Sequence, residues 1–407
     1  MTSARLNPFR VLITHRNFRL FWFGQTLSLV GSWMQAMALG WLALELSNSA
    51  LVVGVVAASG SVPILMFSLH AGVLVDRGNK LRLVTIAQAL LLVQAVALWW
   101  LTWSGNVTVG TLVALATVHG IVASLEIPAR QALMIDLVGR DDLRDAIALN
   151  SSGFNLARIV GPALGALIVA RLGIAWCFAV NALSYLTVLG GLALVRLPAW
   201  QPPRMPGAPL RDIRDGLTYA LGERRVRALL ELVAVYSVLG IPYIALMPVL
   251  ARDRLGLGAS GYGLMLSMIG IGGLTGALAL AAAGLRVRRG PLLIRSSVTY
   301  AVLLGLLSQI RLPALALPVL FGTGFLMIIN NATANGLLQT IVPDEFRGRL
   351  MSIYSLIVIG LPQVLGALAG GAVAGLVGVH WAIGGAAFAM LVFGAWLFRR
   401  YPEVRAL

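Results

Sequence analysis

Twelve long apolar segments run through this chain of 407 residues. Each has about the 20 residues, or more, that an α-helix needs to cross roughly 30 Å of hydrocarbon. They cover residues 20–46, 50–75, 83–103, 109–137, 146–170, 174–195, 227–250, 260–284, 291–310, 313–342, 350–376 and 380–398, and are called spans 1 to 12. Because 59% of the residues are hydrophobic and 11% are charged, against about 45–50% and about 25% in soluble domains, the sequence predicts an all-α integral membrane protein.

The basic residues divide unequally between the two sides of this arrangement. An even number of spans places both termini on one side, which then holds 26 of the 31 Lys and Arg residues. Four fall on the opposite side, and Arg158 lies within a span. Because basic residues concentrate in cytoplasmic loops, both termini are predicted to be cytoplasmic. The basic residues behind the net charge of +16 are therefore expected to face anionic lipid headgroups, and nucleic-acid binding is not expected.

A proline-rich polar stretch divides the chain near its middle. It predicts an N-terminal six-helix bundle over residues 1–195, a cytoplasmic linker over 196–226 and a C-terminal six-helix bundle over 227–407. A weak repeat agrees, since "VGRDDLRDA" at 138–146 resembles "VPDEFRGR" at 342–349. Two six-span repeats are the organisation of one large class of transporters.

Two charges lie at similar depth in consecutive spans. Arg158 is about 12 residues into span 5, or about 18 Å, and Glu126 is about 11 residues from the same face in span 4. An unpaired charge in the membrane costs at least about 2.5–3.5 kcal/mol, so pairing of Glu126 with Arg158 is predicted. Arg130 could join this pair unless Pro128 turns it away. The pair is interpreted either as a site for a proton or polar substrate group, or as a structural link between helices.

Polar side chains also form stripes at helical spacing. Such stripes face either a wet cavity or another helix, and both interpretations stay open here. The candidate substrate-cavity residues are Gln25, Ser28, Ser32 and Gln35 in span 1, His119 in span 4, Asn155 in span 5, Tyr236 and Tyr243 in span 7, and Asn331 and Asn335 in span 10.

Motifs in spans 2, 4 and 5 resemble those of the major facilitator superfamily. They are "GVLVDRGNKLRLV" from Gly72, "EIPARQALMIDLV" from Glu126 and "NLARIVGPALGAL" from Asn155, and they point to the branch of siderophore and drug exporters. The resemblance implies two pseudo-symmetric six-helix bundles, with spans 1, 4, 7 and 10 lining a central cavity. It also implies gating residues in the span 2–3 loop and in span 5.

The gating residues implied by this resemblance are Gly72, Asp76, Arg77, Asp136, Gly161, Pro162 and Gly165. Asp76 is expected to meet the N-terminus of span 11 near Arg349 and Leu350, where the helix dipole favours an anion. Asp136 is expected to pair with Arg77. The glycine-proline motif in span 5 is typical of the superfamily's antiporters. The alternatives are a solvated loop and an ordinary proline kink.

Nothing in the sequence predicts an enzyme, a metal site or a cofactor. Without a phosphate-binding loop, transport has to be driven by a gradient. We therefore expect a monomeric secondary transporter in a bacterial inner membrane. It would export an amphipathic small molecule, a siderophore or drug-like compound, in exchange for protons that bind at Glu126. The alternatives are a lysophospholipid or other lipid transporter, and a non-transporting receptor or scaffold.

Overall fold

The computed structural model describes residues 9–198, 219, 222–284 and 288–403, which are helical almost throughout. Eleven helices in this part of the chain are long and apolar enough to cross a membrane. A short helix, Arg10–Thr14, precedes them.

The helices of spans 1 to 6 are Arg16–Ser47, Ala50–Arg77, Lys80–Trp103, Val109–Val138, Leu143–Leu172 and Ala175–Ala193. Those of spans 8, 9, 10 and 12 are Ala259–Ala283, Arg289–Gln309, Pro313–Ile341 and Val379–Arg400; span 11 comprises Asp344–Ser355, two π-helical turns (Leu356–Gly360 and Pro362–Gly366) and Ala367–Val377.

Span 7 is broken, although the sequence predicts one continuous segment. Its first helix is Arg224–Gly240, and after a turn the chain resumes as Met247–Val249 and a π-helical turn, Leu250–Arg254. Pro242 lies in this turn, and because it has no N–H it cannot donate a helical hydrogen bond. The Tyr300 hydroxyl donates to the Gly240 carbonyl at 2.8 Å, which satisfies one of the acceptors that the helix end leaves open.

Short loops connect the other spans, and their end signals are visible in the sequence. Thr108 and Thr111 exchange side-chain and backbone hydrogen bonds at the start of span 4, a capping box that satisfies two free N–H groups. Gly139 and Gly173 end spans 4 and 5 with φ of 75° and 93°, a conformation that favours glycine.

The helices group into two compact units. The first contains the described residues up to Leu42 and those from Val62 to the linker, and the second contains Ala43–Ser61 and the described residues after the linker. The end of span 1 and the beginning of span 2 thus cluster with residues of the second half, which the predicted boundaries do not anticipate. Most of the predicted linker, 196–226, lies outside the described residues, so that division stays a prediction.

Contacts inside the second unit explain the position of the segment Ala43–Ser61. A Cβ on Gly371 of span 11 would lie 2.8 Å from the Ala50 carbonyl oxygen, so the two backbones touch directly. Arg252 Nη1 donates to Asn48 Oδ1 at 2.7 Å. Close backbone approach of this kind is how small residues hold membrane helices together.

Candidate functional site

An ion pair lies inside span 4. Arg130 Nε and Glu126 Oε1 are 2.8 Å apart, with side chains 10% and 8% exposed. Their spacing of four residues places them on one helix face, and Pro128 between them does not turn Arg130 away. From the sequence, Arg130 is counted among the 26 basic residues of the cytoplasmic side and is also named as a possible partner of Glu126. The structure places the Arg130 side chain in the protein interior, beside Glu126.

A glutamine of span 3 joins this pair to span 1. Gln88 Nε2 donates to Glu126 Oε1 at 3.1 Å and to Gln25 Oε1 at 3.3 Å. Gln88 and Gln25 are buried. The carboxylate therefore accepts hydrogen bonds from Arg130 and Gln88, and such charge-assisted bonds are stronger than neutral ones.

A second amide cluster lies further along the same helices. Gln35 Nε2 donates to Gln94 Oε1 at 3.2 Å, and Asn181 Nδ2 donates to Gln35 Oε1 at 2.8 Å. Gln94 Nε2 donates to the Leu115 carbonyl at 3.3 Å. Because these groups satisfy one another between spans, they function as links between helices.

These contacts bear on the two interpretations of the span 1 stripe. Gln25, Ser28 and Gln35 are each no more than 4% exposed. Ser32 is partly buried, and its Oγ lies 2.9 Å from the Ser28 carbonyl oxygen and 3.2 Å from the Tyr185 hydroxyl. Helix–helix hydrogen bonding, the alternative interpretation, is therefore favoured for Gln25, Ser32 and Gln35, and a place in the substrate cavity stays a prediction.

The polar face of span 5 is more open. Asn155 and Arg158 are partly exposed, and Asn155 Nδ2 donates to the Ser151 carbonyl at 2.9 Å. Glu126 forms an ion pair with Arg130, and its predicted pairing with Arg158 stays a prediction. His119, also partly exposed, lies two turns before Glu126.

The glycine-proline motif packs span 5 directly against span 1. Gly161, Pro162 and Gly165 are all buried. A Cβ on Gly161 would lie 2.6 Å from Trp33 Cβ and 2.7 Å from the Val30 carbonyl oxygen. The motif thus creates close helix contact, while its predicted role in gating stays a prediction.

The loop between spans 2 and 3 forms a different ion pair from the predicted one. Asp136 binds Lys80, with Nζ–Oδ distances of 3.0 and 3.1 Å, in place of Arg77. Asp76 and Arg77 are exposed, and Gly72 is partly buried.

Span 11 begins earlier than the predicted latch requires. Its helix starts at Asp344, which puts Arg349 and Leu350 in the second turn and not at the N-terminus. The expected meeting of Asp76 with this helix joins residues of different units and stays a prediction.

In the second unit, two of the four predicted cavity residues come together. Tyr236 and Asn331 line one small cavity with Ser237, Ile241, Tyr300, Met327 and Asn330. The Tyr236 hydroxyl also donates to the Met390 carbonyl at 3.2 Å. Tyr243 bonds Thr323 through their hydroxyls at 3.1 Å, and Asn335 Oδ1 accepts from Gln339 at 2.6 Å. Neither belongs to this cavity.

Sequence reasoning missed Gln88, Gln94 and Asn181, which complete the polar clusters of the first unit. The signal was present, because each is an amide in an otherwise apolar segment, and a buried polar group needs a partner. In the described residues, no group of three or more His, Cys, Asp or Glu side chains is suited to hold a metal ion.

A family model described as a transmembrane secretion effector, within the major facilitator superfamily, matches residues 3–406. The enterobactin exporter EntS of Escherichia coli is 25% identical over 396 residues, which are 97% of this chain and 94% of EntS. The staphyloferrin A transporter of Staphylococcus aureus is 27% identical over 269 residues. That alignment covers 64% of this chain and 66% of the relative, just under two thirds of its length.

Solved transporter structures show the same fold. A bacterial homologue of the human lysosomal transporter Spinster, in an inward-facing and unoccupied conformation, has a TM-score of 0.74 at 12% identity, with 99% of this chain and 98% of that chain covered. A peptide transporter POT variant in complex with sulfate has a TM-score of 0.72 at 15% identity, with 98% and 99% covered. These similarities confirm the predicted fold class.

Proposed function

The chain belongs to the transmembrane secretion effector family of the major facilitator superfamily, and from this premise we propose that it exports a siderophore or a similar amphipathic compound. Membership of this family makes the chain a multi-pass membrane transporter and not an enzyme. The substrate class is supported by two relatives whose names describe a siderophore exporter and a siderophore transporter. We further propose a monomer of two six-helix bundles in a bacterial inner membrane, with both termini in the cytoplasm.

Export is proposed to be coupled to protons through Glu126. The observation that carries this proposal is the buried pair of Glu126 and Arg130 inside an apolar span. A proton on the carboxylate removes its charge and releases Arg130, and loss of the proton restores the ion pair. Such a site changes state when water reaches it from one side of the membrane or the other.

The substrate is proposed to meet the polar face of span 5 during this cycle. Asn155 and Arg158 are partly exposed there, and an arginine can form bidentate bonds with a carboxylate or a carbonyl-rich ligand. Bending of span 5 at Pro162 and an Asp76 latch would open and close the path.

Proteoliposomes test this function directly. Vesicles containing the full chain and an internal pH-sensitive dye are exposed to enterobactin, staphyloferrin A or a lysophospholipid. We expect a siderophore to be transported with counter-movement of protons, and Glu126→Gln to abolish the proton signal. Transport of the lysophospholipid alone would establish a lipid transporter. Binding of a siderophore with no transport in either direction would favour the receptor interpretation.

A further inference from the structure

A groove runs along the surface of the first unit between spans 1 and 6. It has a volume of about 520 Å³. The described residues that line it are Arg19, Leu20, Phe23, Gly24, Leu27, Thr187, Gly191 and Leu194. From Arg19 to Leu27 the groove follows span 1 for about 12 Å, at 1.5 Å per residue.

Two glycines create the floor of the groove. A Cβ on Gly191 would lie 2.7 Å from the Leu20 carbonyl oxygen, and one on Gly24 would lie 2.8 Å from Val188 Cα. The two backbones therefore meet without side chains between them. Phe23 and Leu27 stand beside this floor and are 58% and 51% exposed, so the groove offers an apolar slot to its surroundings.

One end of the groove is positively charged. Arg19 lines it, and Arg19 Nη1 donates to the Leu12 carbonyl at 3.3 Å. Arg16 Nη1 donates to the carbonyl of Leu194, another lining residue, at 3.3 Å. These bonds hold two exposed guanidinium groups at the same end of the groove. Each bond occupies one of the five N–H donors of its guanidinium group. No acidic side chain is among the described residues that line the groove.

We propose that this groove is a binding site for an anionic phospholipid. One acyl chain fills the apolar slot over Gly24 and Gly191, and the headgroup phosphate binds Arg19 and Arg16. Guanidinium groups match phosphate oxygens in a bidentate geometry. A basic residue near an anionic membrane surface contributes about fivefold to affinity, the equivalent of roughly 1 kcal/mol. The proposal assigns the groove to a lipid and not to the transported compound, because Phe23 and Leu27 are exposed along it and its lining is apolar apart from Arg19 and Thr187.

Native mass spectrometry of the full chain tests the headgroup contact. The detergent-solubilised protein is incubated with equal amounts of phosphatidylglycerol and phosphatidylcholine of identical acyl chains. We expect preferential retention of phosphatidylglycerol. Arg19→Gln should lower that retention about fivefold and leave phosphatidylcholine unchanged. Arg82→Gln is the matched control, since Arg82 is an exposed arginine at the same predicted membrane face but does not line the groove.

A second variant tests the acyl slot. Leu27→Trp places a larger ring in the groove at a half-exposed position, and should lower retention of both lipids while gel filtration and the melting temperature stay unchanged. The proposal is overturned if wild-type protein does not distinguish the two lipids, if Arg19→Gln behaves like Arg82→Gln, or if Leu27→Trp has no effect. It is also overturned if enterobactin displaces the bound lipid, because the groove would then be a substrate site.

Discussion

At the scale of single residues, the buried pair of Glu126 and Arg130 is costly to place inside the first unit. Both charges are removed from water. The bond from Arg130 to Glu126 and the bond from Gln88 to Glu126 compensate for the lost hydration. A buried pair of this kind contributes little net stability compared with apolar residues, but removal of one partner leaves a buried charge. Retention of such a pair in an apolar helix is the physical argument for a function in proton coupling.

Arg130→Ala should lower the free energy of unfolding by about 3–5 kcal/mol, because it leaves the Glu126 carboxylate without its counter-ion. The double variant Glu126→Gln with Arg130→Gln should recover most of this loss and show no substrate-linked proton movement. Denaturant unfolding in detergent measures the first effect, and the proteoliposome assay measures the second. Arg227 and Glu231 have the same spacing and the same 2.8 Å N–O distance at an exposed position, so Arg227→Ala should change stability little. Equal losses at the two sites would contradict a buried, dry pair.

At the scale of helices, span 5 depends on glycine for its contact with span 1. The neighbours of Gly161 include backbone atoms of Val30 and Met34, which cannot move aside as a flexible side chain can. Trp33 and Phe154 form an edge-to-face pair at the same helix contact, with ring centroids 5.7 Å apart. Close packing of span 5 against span 1 is therefore sufficient to explain the glycine-proline motif.

Gly161→Ala should separate spans 1 and 5 and reduce stability by about 1–3 kcal/mol, the usual cost of overpacking. Gly190→Ala in span 6 is the matched control, because nothing lies within 4 Å of a Cβ there, and alanine favours helix over glycine. Thermal unfolding of the two purified variants gives the comparison. If Gly161→Ala were as stable as Gly190→Ala, close packing at the motif would be unimportant.

At the scale of the whole molecule, charge asymmetry is the argument for orientation. Arg130 has to be removed from the surface count, which leaves 25 basic residues against four. This correction does not alter the predicted orientation. The native Cys177 is buried, so a cysteine introduced in a loop reports on that loop with little background.

A cysteine at Gln201 in the linker should resist an impermeant maleimide in intact cells and react after permeabilisation. Ser104→Cys, an exposed position in the loop between spans 3 and 4, should react in intact cells. Labelling of both sites before permeabilisation would contradict the predicted orientation. Labelling of Gln201→Cys alone in intact cells would reverse it.

The sequence by itself determined the apolar segments, the asymmetry of charge and the family motifs, because each depends on the composition of one stretch of chain. Of the twelve predicted spans, eleven are described as helices long and apolar enough to cross a membrane, and span 7 is broken. Helical periodicity also identified which polar residues share a face, as for Gln25 and Gln35. Only the tertiary structure decided what that face meets, since periodicity contains no information about the neighbouring helix. The structure shows that Glu126 pairs with Arg130 and Gln88 and that Gln25, Ser28 and Gln35 are buried, which periodicity alone left open. The break in span 7 is likewise a tertiary feature, since the Tyr300 hydroxyl of another helix satisfies the Gly240 carbonyl at the helix end.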